Sequence, residues 1–397
     1  MPIQIAKQEL FIRFAVFCFC IVFWRSDLNV FSFALLIMAW IIDGGLRKLN
    51  EVLQTPLAQA LLGLCALLLL GLLWSDALSE GHLKWCRYFA LLIFIPFFSV
   101  LRKDRLPWAL GGLILSYAAI LIVGVYESFW LGEQGISIVQ MSYLGFSAML
   151  GIGVVVMAGL ACTNRAVIWQ WLLWVTALLL LYVQFHQGGR VLLLATLFAL
   201  LLMIYQRYRS TFFKRVGIPL MMLGVTALFA YGNPVFEQRW AHIVKDIEQL
   251  QQGDYSSSMG YRLAMWDVGL HGILEHPLTG HGTGMAAQYF DDTIATYKNG
   301  RYRHLPEFQK TEHFHNDWIE IGMHIGIPGM LSLLFIYWGW FQMFERNRLV
   351  ILGSGLIGFV VLAGLTDTVL ILKKIPILLL IVTAIVVRWQ AEKLDTN

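Results

Sequence analysis

The sequence predicts an all-α polytopic membrane protein, and three observations carry that reading. Of its 397 residues, 58% are apolar and only 14% are charged, against about 45–50% and about 25% in ordinary soluble domains. Residues 134–164 contain no Asp, Glu, Lys or Arg, and neither do residues 216–236; a run of about 20 apolar residues is what a helix needs to cross a bilayer. The basic residues, finally, gather in alternate connections between apolar segments, the asymmetry that orients membrane helices. A disordered chain, a nucleic-acid binder and a secreted disulfide scaffold are excluded together. The five cysteines (Cys18, Cys20, Cys65, Cys86 and Cys162) lie in or beside apolar segments. Odd in number and without paired spacing, they read as small apolar fillers, not as disulfides or zinc ligands.

About twelve spans are expected, near 10–24, 28–43, 57–74, 83–100, 107–126, 141–162, 167–184, 189–205, 217–232, 314–344, 349–366 and 372–388. The first follows Lys7 but lacks a small-residue cleavage site and runs straight into the next span, so it reads as a helix and not as a signal peptide. The tenth contains Gly326-Ile327-Pro328 and is expected to bend or break there. With the N-terminus in the cytoplasm, that side collects Lys7, Arg13, Arg47, Lys48, Arg102, Lys103, Arg105 and Arg165. It also collects Arg207, Arg209, Lys214, Arg215, Arg346, Arg348, Arg388 and Lys393, which makes sixteen of the 29 basic residues. The short outer loops hold only Arg25, Lys84, Arg87, Arg190, Lys373 and Lys374. Both termini are therefore assigned to the cytoplasm.

The chain divides at one long polar excursion. Residues 1–232 carry spans one to nine, residues 233–313 form an outer loop, and residues 314–397 carry the last three spans. A loop of this length is expected to have structure of its own. Phe236, Trp240, Ile243, Ile247 and Leu250 recur at helical spacing, as do Leu263, Trp266, Leu270 and Ile273. The polar run 251–258 separates these two amphipathic helices, and Pro277, Gly280, Gly282 and Gly284 end the second. A third short helix is expected over Met285–Tyr297. Such helices should lie on the membrane surface and roof a cavity.

The residues that carry chemistry stand on this outer face. Arg190 opens the eighth span after Gly188-Gly189, where a charge must snorkel, pair or face a wet cavity, and the glycines permit close approach of a ligand or another backbone. Arg262 is placed in the first turn of the second loop helix, where free N–H groups favour anions and an arginine runs against the helix dipole. A surface charge is the plainer reading of it. The densest cluster is Glu312-His313-Phe314-His315-Asn316-Asp317-Trp318-Ile319-Glu320. At a helix N-terminus and near arginines, His315 should be neutral and able to accept a proton. A capping cluster is the structural alternative. Metal binding by the two histidines is disfavoured because no carboxylate beyond Asp317 and Glu320 shows ligand spacing with them.

Asp367, the only carboxylate in the last two spans, needs a partner, and an outer-face histidine or arginine is the natural one. Lys84, Arg87, Lys373 and Lys374 extend the basic rim or meet lipid headgroups. Several cations, one neutral histidine and one acid suit a diphosphate with a nucleophilic hydroxyl beside it. Gly282-x-Gly284 reads as a turn, because no strand precedes it. Asp291-Asp292 reads as a helix-surface pair, with a cation site as the lesser alternative.

These motifs, in this order, resemble the O-antigen ligase and polymerase superfamily of bacterial inner-membrane proteins. The matching segments are Gly189-Arg190, then Gly260-Tyr261-Arg262-Leu263-Ala264-Met265-Trp266 with Glu275-His276-Pro277-Leu278-Thr279-Gly280-His281-Gly282, and His315-Asn316-Asp317-Trp318-Ile319-Glu320-Ile321-Gly322 with Gly326-Ile327-Pro328-Gly329. They cover about half the chain, from the eighth span onward; the earlier spans match in topology only. The resemblance implies a GT-C-like glycosyltransferase of lipopolysaccharide biosynthesis in the inner membrane, its active site facing the periplasm. It would move a polysaccharide from undecaprenyl diphosphate to a sugar hydroxyl of lipid A-core.

By position, Arg190, Arg262 and His315 match the family's functional residues and Asp367 matches a further acidic position. Arg190 and Arg262 would stabilise the leaving diphosphate, with Lys84, Arg87, Asp367 and His313 as further substrate contacts, and His315 would be the base. The first outer loop lacks an acidic metal motif, offering only Ser75-Asp76 and Glu80, so an inverting, metal-independent reaction without cofactors is expected. An O-antigen polymerase or a protein O-oligosaccharyltransferase would use the same donor, and a transporter of that lipid is the alternative of a different class. Against a transporter, the intramembrane charge clusters on one face and no internal repeat is visible.

Overall fold

The computed structural model describes residues 2–163, 166–231, 234–303, 305, 313–372 and 374–395. Among the described residues there is no strand, only an isolated antiparallel bridge between Ile136 and Met141. The first half runs through α1 (Pro2–Val22), α2 (Asn29–Ile42), α3 (Gly45–Leu53), α4 (Pro56–Gly71), α5 (Phe94–Val100), α6 (Leu106–Tyr126), α7 (Tyr143–Thr163), α8 (Val167–Phe185), α9 (Arg190–Arg207) and α10 (Phe212–Ala230). The outer segment supplies α11 (Pro234–Gln251), α12 (Ser258–Glu275), α13 (Ala286–Thr293) and the single turn α14 (Tyr297–Gly300). The chain closes with α15 (Asp317–Arg346), α16 (Val350–Gly364) and α17 (Ile375–Asp395).

Seven helices are long and apolar enough to cross a membrane: Pro56–Trp74, Leu106–Leu131, Tyr143–Thr163, Val167–Phe185, Arg190–Arg207, Asp317–Arg346 and Ile375–Leu394. An eighth is α2 with α3, bent by 100° at their junction, where Gly44 takes a φ of +75° that side-chain-bearing residues avoid. The other expected spans take other forms. Helix α1 carries Lys7, Glu9 and Arg13 within its length. Residues 83–100 are a 3₁₀ stretch, Lys84–Ile93, followed by the short α5. Helix α16 has only 15 residues, and residues 217–232 fall largely on α10.

Packing centres on α7, whose apolar window is 83% buried between α8, α9, α16 and α17. One buried amide ties three of these helices: Gln184 Nε2 donates to Ser147 O at 3.0 Å and to Thr196 Oγ1 at 3.0 Å. Such bonds satisfy polar groups that lipid cannot. At the other end of the bundle, buried Arg105 pairs with Glu9 at 2.6 Å and Asp43 at 2.8 Å, joining α1, the α2–α3 corner and the start of α6.

Helix α15 breaks where its glycine and proline foretell. Ile325 (φ −142°) and Gly326 (φ +67°) leave helical geometry, with Pro328 just beyond. The break leaves backbone groups unpaired within the helix, and the turn after α12 satisfies two of them. His281 N donates to Met323 O at 2.9 Å, and Ile327 N donates to Pro277 O at 2.7 Å. The same turn is pinned to α4 through Thr283 Oγ1 and Leu68 O at 2.7 Å. Segment 277–284 is thus wedged between α4 and α15, and it carries the outer helices with it.

Candidate functional site

Helix α12 packs across the first turns of α15. Tyr261, Ala264, Met265 and Val268 meet Phe314, Ile319 and Met323, with Phe290 of α13, in a second apolar core distinct from that of the bundle. The segment that leads into α15, 314–317, is held by a hydrogen bond at every residue. Phe314 is fully buried, its carbonyl accepts from Trp266 Nε1 at 3.2 Å, and its N–H donates to Glu320 Oε2 at 2.8 Å. Asn316 caps α15, its Oδ1 accepting from Trp318 N at 2.9 Å and Ile319 N at 3.1 Å. Its Nδ2 reaches Leu365 O at 2.8 Å, while Asp317 Oδ1 accepts from Leu370 N at 3.2 Å. These last two bonds clamp the histidine segment to the loop after α16.

That clamp brings together residues far apart in sequence. His315 Nδ1 lies 3.1 Å from Asp367 Oδ1, and His313 Nε2 lies 3.6 Å from the same oxygen. The two rings are 4.2 Å apart. Asp367 is 6% exposed and also accepts from Thr368 N at 2.9 Å. His315 itself holds a φ of +47°, a left-handed conformation that costs a non-glycine residue free energy and persists where the surroundings impose it.

Burial pushes the His315 imidazole below its usual range; the Asp367 carboxylate pulls the other way, and His313 and Arg262 add to the depression. Burial alone would raise Asp367, but the two imidazoles, His313 at 3.6 Å and His315 hydrogen-bonded at 3.1 Å, hold it far below the ordinary carboxylate value. A neutral imidazole bonded through Nδ1–H to an ionised carboxylate leaves its Nε2 lone pair free to take a proton.

A cavity of 260 Å³ opens beside this pair, walled by His313, Thr368, Gln140, Arg87 and Lys374 among others. Buried Lys374 donates to Val139 O, inside the protein and not at a headgroup as a rim lysine would. Lys373 lies outside the described residues. Lys84 stands apart from Arg87: it lines a second cavity of 800 Å³ with Glu80, His82, Asp291, Asp292, Glu320 and His324. Arg262 occupies the second turn of α12, not the first, because the helix starts at Ser258 behind a Ser257 cap; its charge nevertheless reaches His315. Arg190 is half-buried at the first position of α9. The glycine before it is required there, since a β-carbon at Gly189 would fall 2.7 Å from Ser147 of α7. Neither arginine is in the wall of the smaller cavity.

Spacing missed one set. His313, His315 and Asp367 offer ligand atoms within 4.8 Å of one another, so the histidine pair does have a carboxylate companion, 52 residues away. A histidine partner for Asp367 is expected from its burial, but that it meets both histidines follows from the α15–α16 hairpin and from no local motif.

A sequence model of the O-antigen ligase family matches residues 172–334, a stretch containing Arg190, Arg262, His313 and His315. Over this stretch the chain is similar to the O-antigen ligase family. Over 356 residues it is 25% identical to the O-antigen ligase of Escherichia coli K12, covering 83% of this chain and 79% of that one. An uncharacterized protein of Haemophilus influenzae is 24% identical over 141 residues, 34% of this chain and 33% of its own. By this similarity the protein is a multi-span membrane enzyme of the glycosyltransferase type, acting in lipopolysaccharide biosynthesis.

Proposed function

We propose that the protein is an O-antigen ligase that takes a polysaccharide from undecaprenyl diphosphate and joins it to a sugar hydroxyl of lipid A-core at the periplasmic face of the inner membrane. Twelve crossings in a GT-C-like arrangement carry the reaction, with α1, the broken 83–100 segment, α10 and α16 counted beside the long spans. Residues 1–232 and 314–397 form the membrane parts and residues 233–313 the periplasmic part. The His315–Asp367 contact beside a cation-lined cavity is the observation that carries this reading.

In the reaction, His315 Nε2 removes the proton of the acceptor hydroxyl while its oxygen attacks the anomeric carbon. The bond from that carbon to the diphosphate oxygen breaks, and attack from the opposite face inverts the configuration. Arg190 and Arg262 stabilise the charge growing on the leaving diphosphate. Arg87, His313 and Lys374 line the smaller cavity and Lys84 the larger one, and with Asp367 they complete the substrate-facing set. Asp367 keeps the His315 proton on Nδ1. No nucleotide is consumed, since the diphosphate linkage already carries the activation.

A strain lacking the gene tests the transfer itself. It is expected to show lipopolysaccharide core without polymer on a gel while lipid-linked polymer accumulates. Core capped with one repeat unit would instead assign the chain as a polymerase.

The depressed His315 value gives a pH dependence with a definite sign. The base must be neutral, so transfer at saturating substrates is expected to be lost only as pH falls through a midpoint below 6.5, the ordinary imidazole value, and to be flat above it. Asp367→Asn removes the group that raises His315, so the midpoint should move further down as the plateau rate drops. A midpoint above 6.5 would contradict this environment for the ring.

The reaction is also expected to proceed without a metal ion, the arginines supplying the positive charge. Transfer by purified protein in excess chelator should match the untreated rate. Loss restored by magnesium or manganese would turn His313, His315 and Asp367 into a metal site.

A further inference from the structure

One buried pair of ionisable residues has no part in that reaction scheme. Glu320 and His324 lie one helical turn apart on α15, 4% and 4% exposed. Both line the 800 Å³ cavity, and neither lines the smaller one. Burying two such groups costs free energy unless each is bonded. Here each has one hydrogen bond, and a close contact joins the two. Gly284 N donates to His324 Nδ1 at 3.1 Å. Accepting there, the ring carries its proton on Nε2, which faces Glu320 Oε1 at 3.4 Å. The other carboxylate oxygen, Oε2, accepts from Phe314 N at 2.8 Å. This chain of contacts runs from the turn after α12, through α15, to the residue preceding His315.

We infer that Glu320 and His324 are positioning residues: as a buried dyad they hold Phe314, and through it the strained backbone of His315, at the geometry in which the ring meets Asp367. His315 needs such support, because its φ of +47° is not a conformation it would choose alone. Phe314 N–H is the last backbone donor before it, and a buried donor left without an acceptor would drive local rearrangement. Glu320 supplies that acceptor, and His324 fixes the rotamer of Glu320 by anchoring it to Gly284. Neither residue has a contact with His315 itself among the described ones, so their effect passes through the backbone. The inference rests on His315 being the base.

The test uses the full-length protein in a transfer assay, with kcat and KM measured for both lipid substrates. Glu320→Ala is expected to lower kcat about 100-fold, the loss that a displacement of about 1 Å can cause, with both KM values within about threefold of the parent. Glu320→Gln keeps the volume and one oxygen for Phe314 N–H, so it should fold and lose about tenfold in kcat. His324→Leu should fall to a similar level. His324→Gln is the rescue: its amide oxygen can accept from Gly284 and its amide nitrogen can donate to Glu320, so kcat should return to within about fivefold. A double variant, Glu320→Ala with His324→Leu, should be no worse than Glu320→Ala alone, because the two act along one path.

Parent-like kcat in Glu320→Gln and His324→Leu would overturn the inference. So would losses that appear in KM, or a His324→Gln no better than His324→Leu. His315→Ala belongs in the same series: if it keeps transfer, the base assignment fails whatever the Glu320 variants do.

Discussion

His315→Ala is expected to reduce transfer by about 10³-fold, within the range that a positioned general base contributes, while binding of undecaprenyl diphosphate stays close to that of the parent. In the proposed reaction the ring faces the acceptor hydroxyl, so its loss removes an interaction made only as the proton leaves, and the effect falls on kcat. His313→Ala should cost far less. His313 stands 3.6 Å from Asp367 against 3.1 Å for His315, and it precedes the clamp made by Asn316 and Asp317. If His313→Ala were the inactive variant and His315→Ala the mild one, the two histidines would have to exchange roles.

Arg262→Lys and Arg190→Lys should form the second large class. Each keeps one positive charge but loses the planar fork that holds two phosphate oxygens at once. Removing a donor from a developing oxyanion typically costs about 10²–10³-fold, and each variant is expected to fall in that range. Diphosphate affinity should weaken too, because the ground state already carries charge. The rate loss should be the larger, since charge on the leaving oxygen grows toward the transition state. For Arg262 a second consequence follows from the structure. Its charge helps keep His315 neutral, so Arg262→Ala should move the acid limb of the pH profile upward. Arg262→Lys should leave it nearly in place.

Much of this architecture is legible along the chain. Apolar length and charge asymmetry identify a membrane bundle, and Gly326 with Pro328 foretells the break in α15. The helical spacing of Leu263, Trp266 and Leu270 marks α12, because each of these signals is local. The misreadings have tertiary causes. Residues 83–100 are apolar enough to pass for one helix, but the 3₁₀ stretch ends at Ile93 and a short helix takes over. Arg262 falls one turn later than expected because α12 opens inside the serine run 256–258, any member of which could cap a helix. The need of Asp367 for a histidine or arginine partner can be argued from membrane energetics. Which histidine it takes, and that it meets both, depends on how the α15–α16 hairpin folds back. Glu320 and His324 gave only the i, i+4 spacing common to many helices. Their bonds to Phe314 and Gly284 exist only once α12 and α15 have packed.

The most direct test of His315 as base, with the arginines on the leaving group, is a paired measurement on three purified variants: His315→Ala, Arg190→Lys and Arg262→Lys. For each, the affinity for undecaprenyl diphosphate is measured beside the single-turnover rate of transfer to lipid A-core. The account predicts that the variants separate, with His315→Ala inactive at near-parental affinity and both arginine variants impaired in affinity and, more strongly, in rate. If His315→Ala instead lost its diphosphate affinity in proportion to its rate, the ring would be a phosphate ligand, and Asp367 would become the first candidate for the base.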